Sequence, residues 1–153
     1  MLALEDREVK ILKELQKDGR LSFAELADRV GYSAAQCWRR VRHLEDRGVI
    51  RSYSALLDPA ALGLAFNAFI QVTLDLHKSD EFEAAIMNRD EVVECYALAG
   101  EQDFLLHVMV ADIEAFDYFL RQELIHLPGV ERMRTSFALK TIKQSYMAHI
   151  LKA

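Results

Sequence analysis

Apolar residues recur at helical spacing through roughly the first fifty positions and then change to strict alternation. Val9, Leu12 and Leu15 share one face while Lys10, Lys13 and Lys17 lie off it, which predicts a helix over 4–18 ended by Gly19. Ser22 stands three residues before Glu25, the spacing at which each side chain satisfies a backbone N–H at a helix start, so a second helix opens at Phe23. Its inward positions are Leu26, Ala27 and Val30, and Gly31 supplies the left-handed residue that ends it. Ser33 caps a third helix with Cys37, Val41 and Leu44 inward and Gly48 at its end. Two short helices joined by a turn of about four residues form a helix-turn-helix, and the first helix buries their backs.

After Gly48 the period shortens. Residues 49–57, VIRSYSALL, read as a linking strand stopped by Asp58-Pro59. From Leu64 to Leu76, Phe66, Ala68, Ile70, Val72, Leu74 and Leu76 alternate with Asn67, Phe69, Gln71, Thr73 and Asp75, giving a long strand with one apolar face. Ser79 and Asp80 are positioned to cap a helix with Phe82, Ala85 and Ile86 inward. Strands follow over 91–99 and 103–111, hinged at Gly100-Glu101-Gln102. Asp112 caps a helix carrying Ile113, Phe116, Phe119, Leu120 and Leu124, Leu127-Pro128-Gly129 breaks it, and a last strand covers 130–142. The order strand, helix, strand, strand, helix, strand is the ferredoxin-like arrangement, with two helices over one face of a four-stranded sheet. The fold class is therefore α+β: a helix-turn-helix domain over 1–50, a linker strand and hinge over 51–63, and a ferredoxin-like domain over 64–153. Two helices leave one sheet face open. With Leu98, Phe104, Leu106 and Val108 assigned to that face it is an apolar patch, and pairing with a second copy is the simplest way to cover it.

At about 100° per residue, Ala35, Gln36, Arg39, His43 and Asp46 of the third helix point away from its apolar stripe, with Arg40 and Arg42 on the flanks. In a helix-turn-helix the early residues of the second motif helix reach base edges in the major groove. Gln36 and Arg39 are the candidate readers, since Gln pairs with adenine and Arg with guanine through two contacts each. Arg40, Arg42 and Arg47 are candidate phosphate contacts, and Ser33, Ala35 and His43 complete the surface. Trp38, at the edge of the stripe, reads as a core-edge packing residue ahead of a base-stacking one.

The net charge of −5 opposes nucleic-acid binding until its distribution is considered. Residues 1–50 hold ten Lys/Arg against nine Asp/Glu, residues 51–153 nine against fifteen, and residues 33–52 five Arg against two acids. A phosphate backbone would meet that local field. No apolar run approaches the roughly 20 residues of a membrane helix, and the acidic N-terminus does not read as a secretion signal. Cys37 and Cys95 sit in apolar patterns as expected buried free thiols in a cytoplasmic, nucleoid-associated protein, with no metal site or cofactor implied. An enzyme built on Cys95 and His107 lacks an activating third group, and the five His show no metal-ligand spacing. The competing reading within DNA binding is an architectural protein that packages DNA without responding to a ligand.

The ordered set Ile11-Leu12, Leu15, Asp18-Gly19-Arg20, Glu25-Leu26-Ala27, Val30-Gly31, Ser33, Arg40-Val41, Leu44-Glu45, Gly48-Val49-Ile50, Tyr53, Pro59, Leu62-Gly63, Cys95, Gly100 with Asp103, Leu127-Pro128-Gly129-Val130 and Thr135 resembles the leucine-responsive/asparagine-regulatory (Lrp/AsnC, feast/famine) transcription regulators along nearly the whole chain. The resemblance implies a winged-helix-like DNA-reading domain, a strand linker, and an ACT-like domain that dimerises, assembles further into tetramers or octamers, and binds a small effector, usually an amino acid. It also implies an effector pocket lined by Leu98, Ala99, Gly100, Gln102, Asp103 and Thr135, with the Asp103 carboxylate facing a ligand ammonium. Ala34 stands where many members have Pro, a loss of preorganisation rather than of contact. Gln102 stands where the family varies, often with an aromatic, and this bears on effector identity.

Overall fold

The computed structural model describes residues 4–144, and the chain forms two compact units, one built on residues up to Leu56 and the other spanning Leu57–Ile142. In the first, helices α1 (Asp6–Lys17), α2 (Phe23–Val30) and α3 (Ala34–Asp46) enclose Ile11, Leu12, Leu26, Ala27, Val30, Cys37, Val41 and Leu44. All three helices start with a reciprocal capping box, Glu5/Glu8, Ser22/Glu25 and Ser33/Gln36. Hydrogen bonds from the Ser22 side chain and backbone hold the Glu25 carboxyl below its ordinary range. Gly31 closes α2 at φ 75°, in the left-handed region.

The linking strand expected over 49–57 is not formed among the described residues. Its sequence has strand propensity, but a strand needs a neighbour to pair with, and the described residues of this unit form only helices. Tyr53 instead anchors the segment: its hydroxyl donates to Glu45 Oε1 at 3.0 Å, and its ring lies where a Cβ on Gly19 would touch it at 3.5 Å.

The second unit is a four-stranded antiparallel sheet of β1 (Phe66–Leu74), β2 (Val92–Ala97), β3 (Phe104–Val110) and β4 (Val130–Phe137), in the order β2-β3-β1-β4. Helices α4 (Ser79–Ile86) and α5 (Ile113–Tyr118) accompany it, α5 continuing through a wide turn at Phe119–Glu123. This is the ferredoxin-like order. Ala68, Ile70, Val72 and Leu74 of β1 and Phe104, Leu106, Val108 and Val110 of β3 form one core with Phe82, Ile86, Phe116, Phe119 and Leu124. The observed strands are shorter than the alternation suggested, and β4 ends at Phe137 rather than at 142. Ile113, expected inward, is half exposed at the first turn of α5.

The assignment of Phe104, Leu106 and Val108 to the open face is corrected. The seven residues of β3, FLLHVMV, are apolar on both sides of His107, so alternation alone does not orient the strand. Pairing of Ile70 with Leu106 and of Val72 with Phe104 turns those side chains toward the helices. The open face holds Asn67, Phe69, Gln71, Thr73, Leu105, His107, Met109, Glu94, Tyr96, Arg132, Arg134 and Ser136. It is amphipathic, with acidic Glu94 on the β2 edge and Arg132 and Arg134 on the β4 edge. His107 stacks on Phe69 with ring centroids 4.6 Å apart and lies within hydrogen-bond distance of Glu94 and Asn67. Cys95 pairs with Leu106 while His107 pairs with Glu94, so the two leave the sheet on opposite faces and do not form a nucleophile–base pair. Cys95 is exposed rather than buried.

Candidate nucleic-acid interface and effector turn

The α3 surface follows from the cap and from what each Arg touches. Ser33 Oγ accepts from the Gln36 N–H at 3.2 Å, and Gln36 Oε1 accepts from the Ser33 N–H at 3.0 Å. The Gln36 carbonyl oxygen is thus committed to the cap, whereas its amide N–H groups are free to donate outward. Arg39 lies at the centre of the exposed face and makes no ion pair among the described residues. Ala35 and His43 are exposed on either side of it. Arg42 is exposed and pairs with Glu45 Oε2 at 3.2 Å, one turn along the helix. Such a pair, open to water, holds the guanidinium weakly and leaves it able to meet phosphate.

Arg40 and Arg47 have partners that the sequence did not suggest. Arg40 Nη1 lies 2.8 Å from Glu5 Oε2, linking α3 to the start of α1 with a largely exposed carboxylate. Arg47 Nη1 lies 3.0 Å from Glu8 Oε1, and the Glu8 side chain is only 3% exposed. The other Glu8 oxygen accepts the Glu5 N–H at 2.9 Å. Arg47 is therefore held as the counter-ion of a buried carboxylate that caps α1, a structural role the sequence did not suggest for it. The sequence signal was Glu8 itself, which falls beside Val9 and opposite the end of α3, but nothing local to Arg47 marks it. Trp38, expected at the core edge, is 50% exposed. The buried residues of α3 are Cys37, Val41 and Leu44.

The candidate effector turn joins β2 to β3. It is closed by the Leu98 N–H donating to the Asp103 carbonyl at 2.7 Å, while the Asp103 N–H donates to the Val72 carbonyl at 3.0 Å. Asp103 Oδ2 accepts the Leu74 N–H at 2.8 Å, where the β1–β4 register shifts at Thr73/Leu74. The carboxylate thus has a structural bond that the sequence did not suggest. Leu98, Ala99 and Gly100 are exposed, and Gln102 and Asp103 partly so. Gly100 has no positive φ, and a Cβ built there would meet nothing within 4 Å. Nothing among the described residues requires glycine at that position, and the space around it is open.

Thr135 is not brought to this turn. It pairs with Ile70 on β4, so β3 and β1 separate it from β2. Three strand spacings amount to about 14 Å. Five of the six candidate residues therefore lie together at the turn, and Thr135 lies apart from them.

Comparison with known proteins agrees with both halves. A family model for the Lrp/AsnC ligand binding domain matches residues 67–148, and one for winged helix-turn-helix DNA-binding matches residues 4–51. The chain is 43% identical over 138 residues to the leucine-responsive regulatory protein of Salmonella typhimurium, covering 88% of this chain and 84% of that one. A transcriptional regulator from Neisseria meningitidis, solved as an L-Met complex, superimposes with a TM-score of 0.90 at 39% identity, covering 94% of this chain and 95% of that one. The feast or famine regulatory protein from M. tuberculosis complexed with L-methionine gives 0.88 at 37% identity, with 95% and 99% covered.

Proposed function

The chain belongs to the Lrp/AsnC family of transcriptional regulators, and on that premise we propose that α3 reads operator DNA while the β2–β3 turn, completed by further copies of the chain, binds a free amino acid. It is a ligand-responsive transcription regulator. The observation that carries the DNA reading is the exposed face of α3, where Arg39, without an ion pair among the described residues, stands between Ala35 and His43 on a capped helix-turn-helix. Arg39 is the principal base reader, Gln36 contributes its amide N–H, and Arg42 meets phosphate. Arg39→Ala should cost roughly 1–3 kcal/mol and relax preference at one base position, whereas Arg42→Ala should weaken all sequences alike.

The open sheet face supports a symmetric dimer. Glu94 on one edge and Arg132 and Arg134 on the other are complementary when a second copy packs with a two-fold axis over the sheet, and Phe69, Leu105, Tyr96 and Met109 supply apolar area between them. On the effector side, open space above Gly100 supports the approach of a carboxylate, and Asp103 supports recognition of an ammonium. Two relatives solved with methionine make that class of ligand the first to try. A thermal-shift screen against the twenty amino acids, followed by a DNA mobility shift with each stabilising compound, tests this assignment. A screen with no stabilising amino acid would overturn the effector reading and leave DNA binding standing.

A further inference from the structure

We propose that Trp38 is a DNA contact of its own kind: its indole lies along the sugar-phosphate backbone beside the major groove, and its Nε1–H donates to a phosphate oxygen. The inference rests on the DNA-reading role of α3 and adds a neutral phosphate contact to the charged ones.

Trp38 is one residue, about 100° of helix, round from Arg39. It shares its flank of α3 with Arg42, one turn later. Ala34 and Ala35 lie one turn earlier, and their short side chains leave the indole standing clear of the helix. The ring is half exposed, and its N–H has no hydrogen-bond partner among the described residues. A single exposed aromatic means little by itself. Position and charge supply the rest: exposed Arg39 and Arg42 stand within about one turn of Trp38, and Glu45, two turns on along the same flank, is already paired with Arg42, so the stretch of helix around the indole favours an anionic partner. Flanks of a recognition helix meet phosphates while its centre meets bases. A Trp placed there offers an apolar plane for deoxyribose and one donor for a phosphate oxygen.

A neutral donor leaves a distinctive signature. Each Lys or Arg contact to a phosphate releases counterions and adds about 0.9 to the slope of log affinity against log salt. An indole N–H adds affinity without adding to that slope. Trp38→Phe should therefore weaken binding roughly tenfold, equally for a duplex enriched from a random pool by the full chain and for a duplex of random sequence, with the slope unchanged. Arg42→Ala should lower the slope by about one.

The chain contains one tryptophan, so the unsubstituted protein reports on the contact directly. Full-length chain is titrated with the enriched duplex carrying a terminal fluorophore, and anisotropy of the fluorophore is followed together with tryptophan emission and acrylamide quenching. The expected result is a blue shift and several-fold protection from acrylamide that saturate with the anisotropy. Saturating anisotropy with unchanged emission and quenching would overturn the Trp38 contact while leaving DNA binding intact. Failure of any duplex to bind would remove both. Protection that follows protein concentration without DNA would assign the indole to a contact between copies, and a loss confined to the enriched duplex in Trp38→Phe would make it a base reader; either result contradicts the proposal.

Discussion

Arg47 gives the sharpest test of how charge is used in the DNA-reading unit. Replacing it with Met keeps most of the aliphatic stem and removes the guanidinium 3.0 Å from Glu8 Oε1. Deleting one partner of a buried ion pair costs about 3–5 kcal/mol, because the remaining charge stays buried without compensation. The Arg47 side chain is 20% exposed, and Glu8 keeps its bond from the Glu5 N–H, so about 3 kcal/mol is expected. With a urea m-value of about 1 kcal/mol/M for so small a unit, the midpoint should fall by about 3 M. Tryptophan emission reports this unit selectively, since the only tryptophan is Trp38 on α3. Arg42→Met, which breaks a surface pair, should change stability by less than about 1 kcal/mol. The double variant Arg47→Met/Glu8→Gln should recover most of the loss, because the Gln carbonyl still caps the Glu5 N–H and no buried charge remains. The reasoning would be refuted by an Arg47→Met protein as stable as Arg42→Met whose DNA binding loses about one from its salt slope. That outcome would return Arg47 to the phosphate contacts.

Gly129→Ala should destabilise the sheet unit by about 2 kcal/mol or more in thermal melting, since its φ is 77°, the new Cβ would sit 2.9 Å from Lys78 Cβ, and left-handed backbone alone costs about 1–2 kcal/mol with a side chain. Asp103→Ala should lose about 1–2 kcal/mol of stability along with ligand affinity, because it leaves the Leu74 N–H unbonded. Asp103→Asn should restore stability through its amide oxygen but still bind an amino acid worse by about 1.5–3 kcal/mol; intact affinity in that variant would remove the carboxylate from ligand recognition. Burial, aided by Glu45, pushes the Tyr53 hydroxyl up to about 12. The folded state holds that proton more tightly than the unfolded one, so stability is fully present below pH 10 and declines from pH 10 to 12. Tyr53→Phe should flatten that decline in chemical-denaturation curves recorded across the interval; a curve with the same slope would show that other groups govern it.

The parts of the fold legible in the sequence were those fixed by local rules. Ser22 and Glu25, Ser33, and Gly31 set helix boundaries through backbone hydrogen bonds only a few residues long, and the structure begins and ends α2 where they indicated. The alternation of β1 was equally clear because its two faces differ in polarity. What escaped depended on distant partners. The facing of β3 is decided by its register with β1, not by its own residues. The segment 49–57 has a strand's composition without a strand partner among the described residues of its unit. Arg47 looked like its neighbours on the helix until α1 placed Glu8 beside it. For the same reason the reading surface was more legible than the effector turn. One helix carries the former, whereas Thr135 and Gly100 sit on opposite edges of a sheet.

The central claim, that one chain couples an amino acid to DNA, is tested most directly by calorimetric titration of each amino acid found in the thermal screen into the full-length protein, with and without its enriched duplex. Linkage requires that a ligand changing DNA affinity by some factor has its own affinity changed by DNA by the same factor. The predicted result is an amino acid, methionine or leucine being the first candidates, whose dissociation constant shifts at least fivefold when the duplex is present, the lower end of typical allosteric coupling, with a matching shift in duplex affinity measured separately. Tight DNA binding that no amino acid alters, and amino-acid binding that no duplex alters, would contradict it and point to a protein that organises DNA without sensing a ligand.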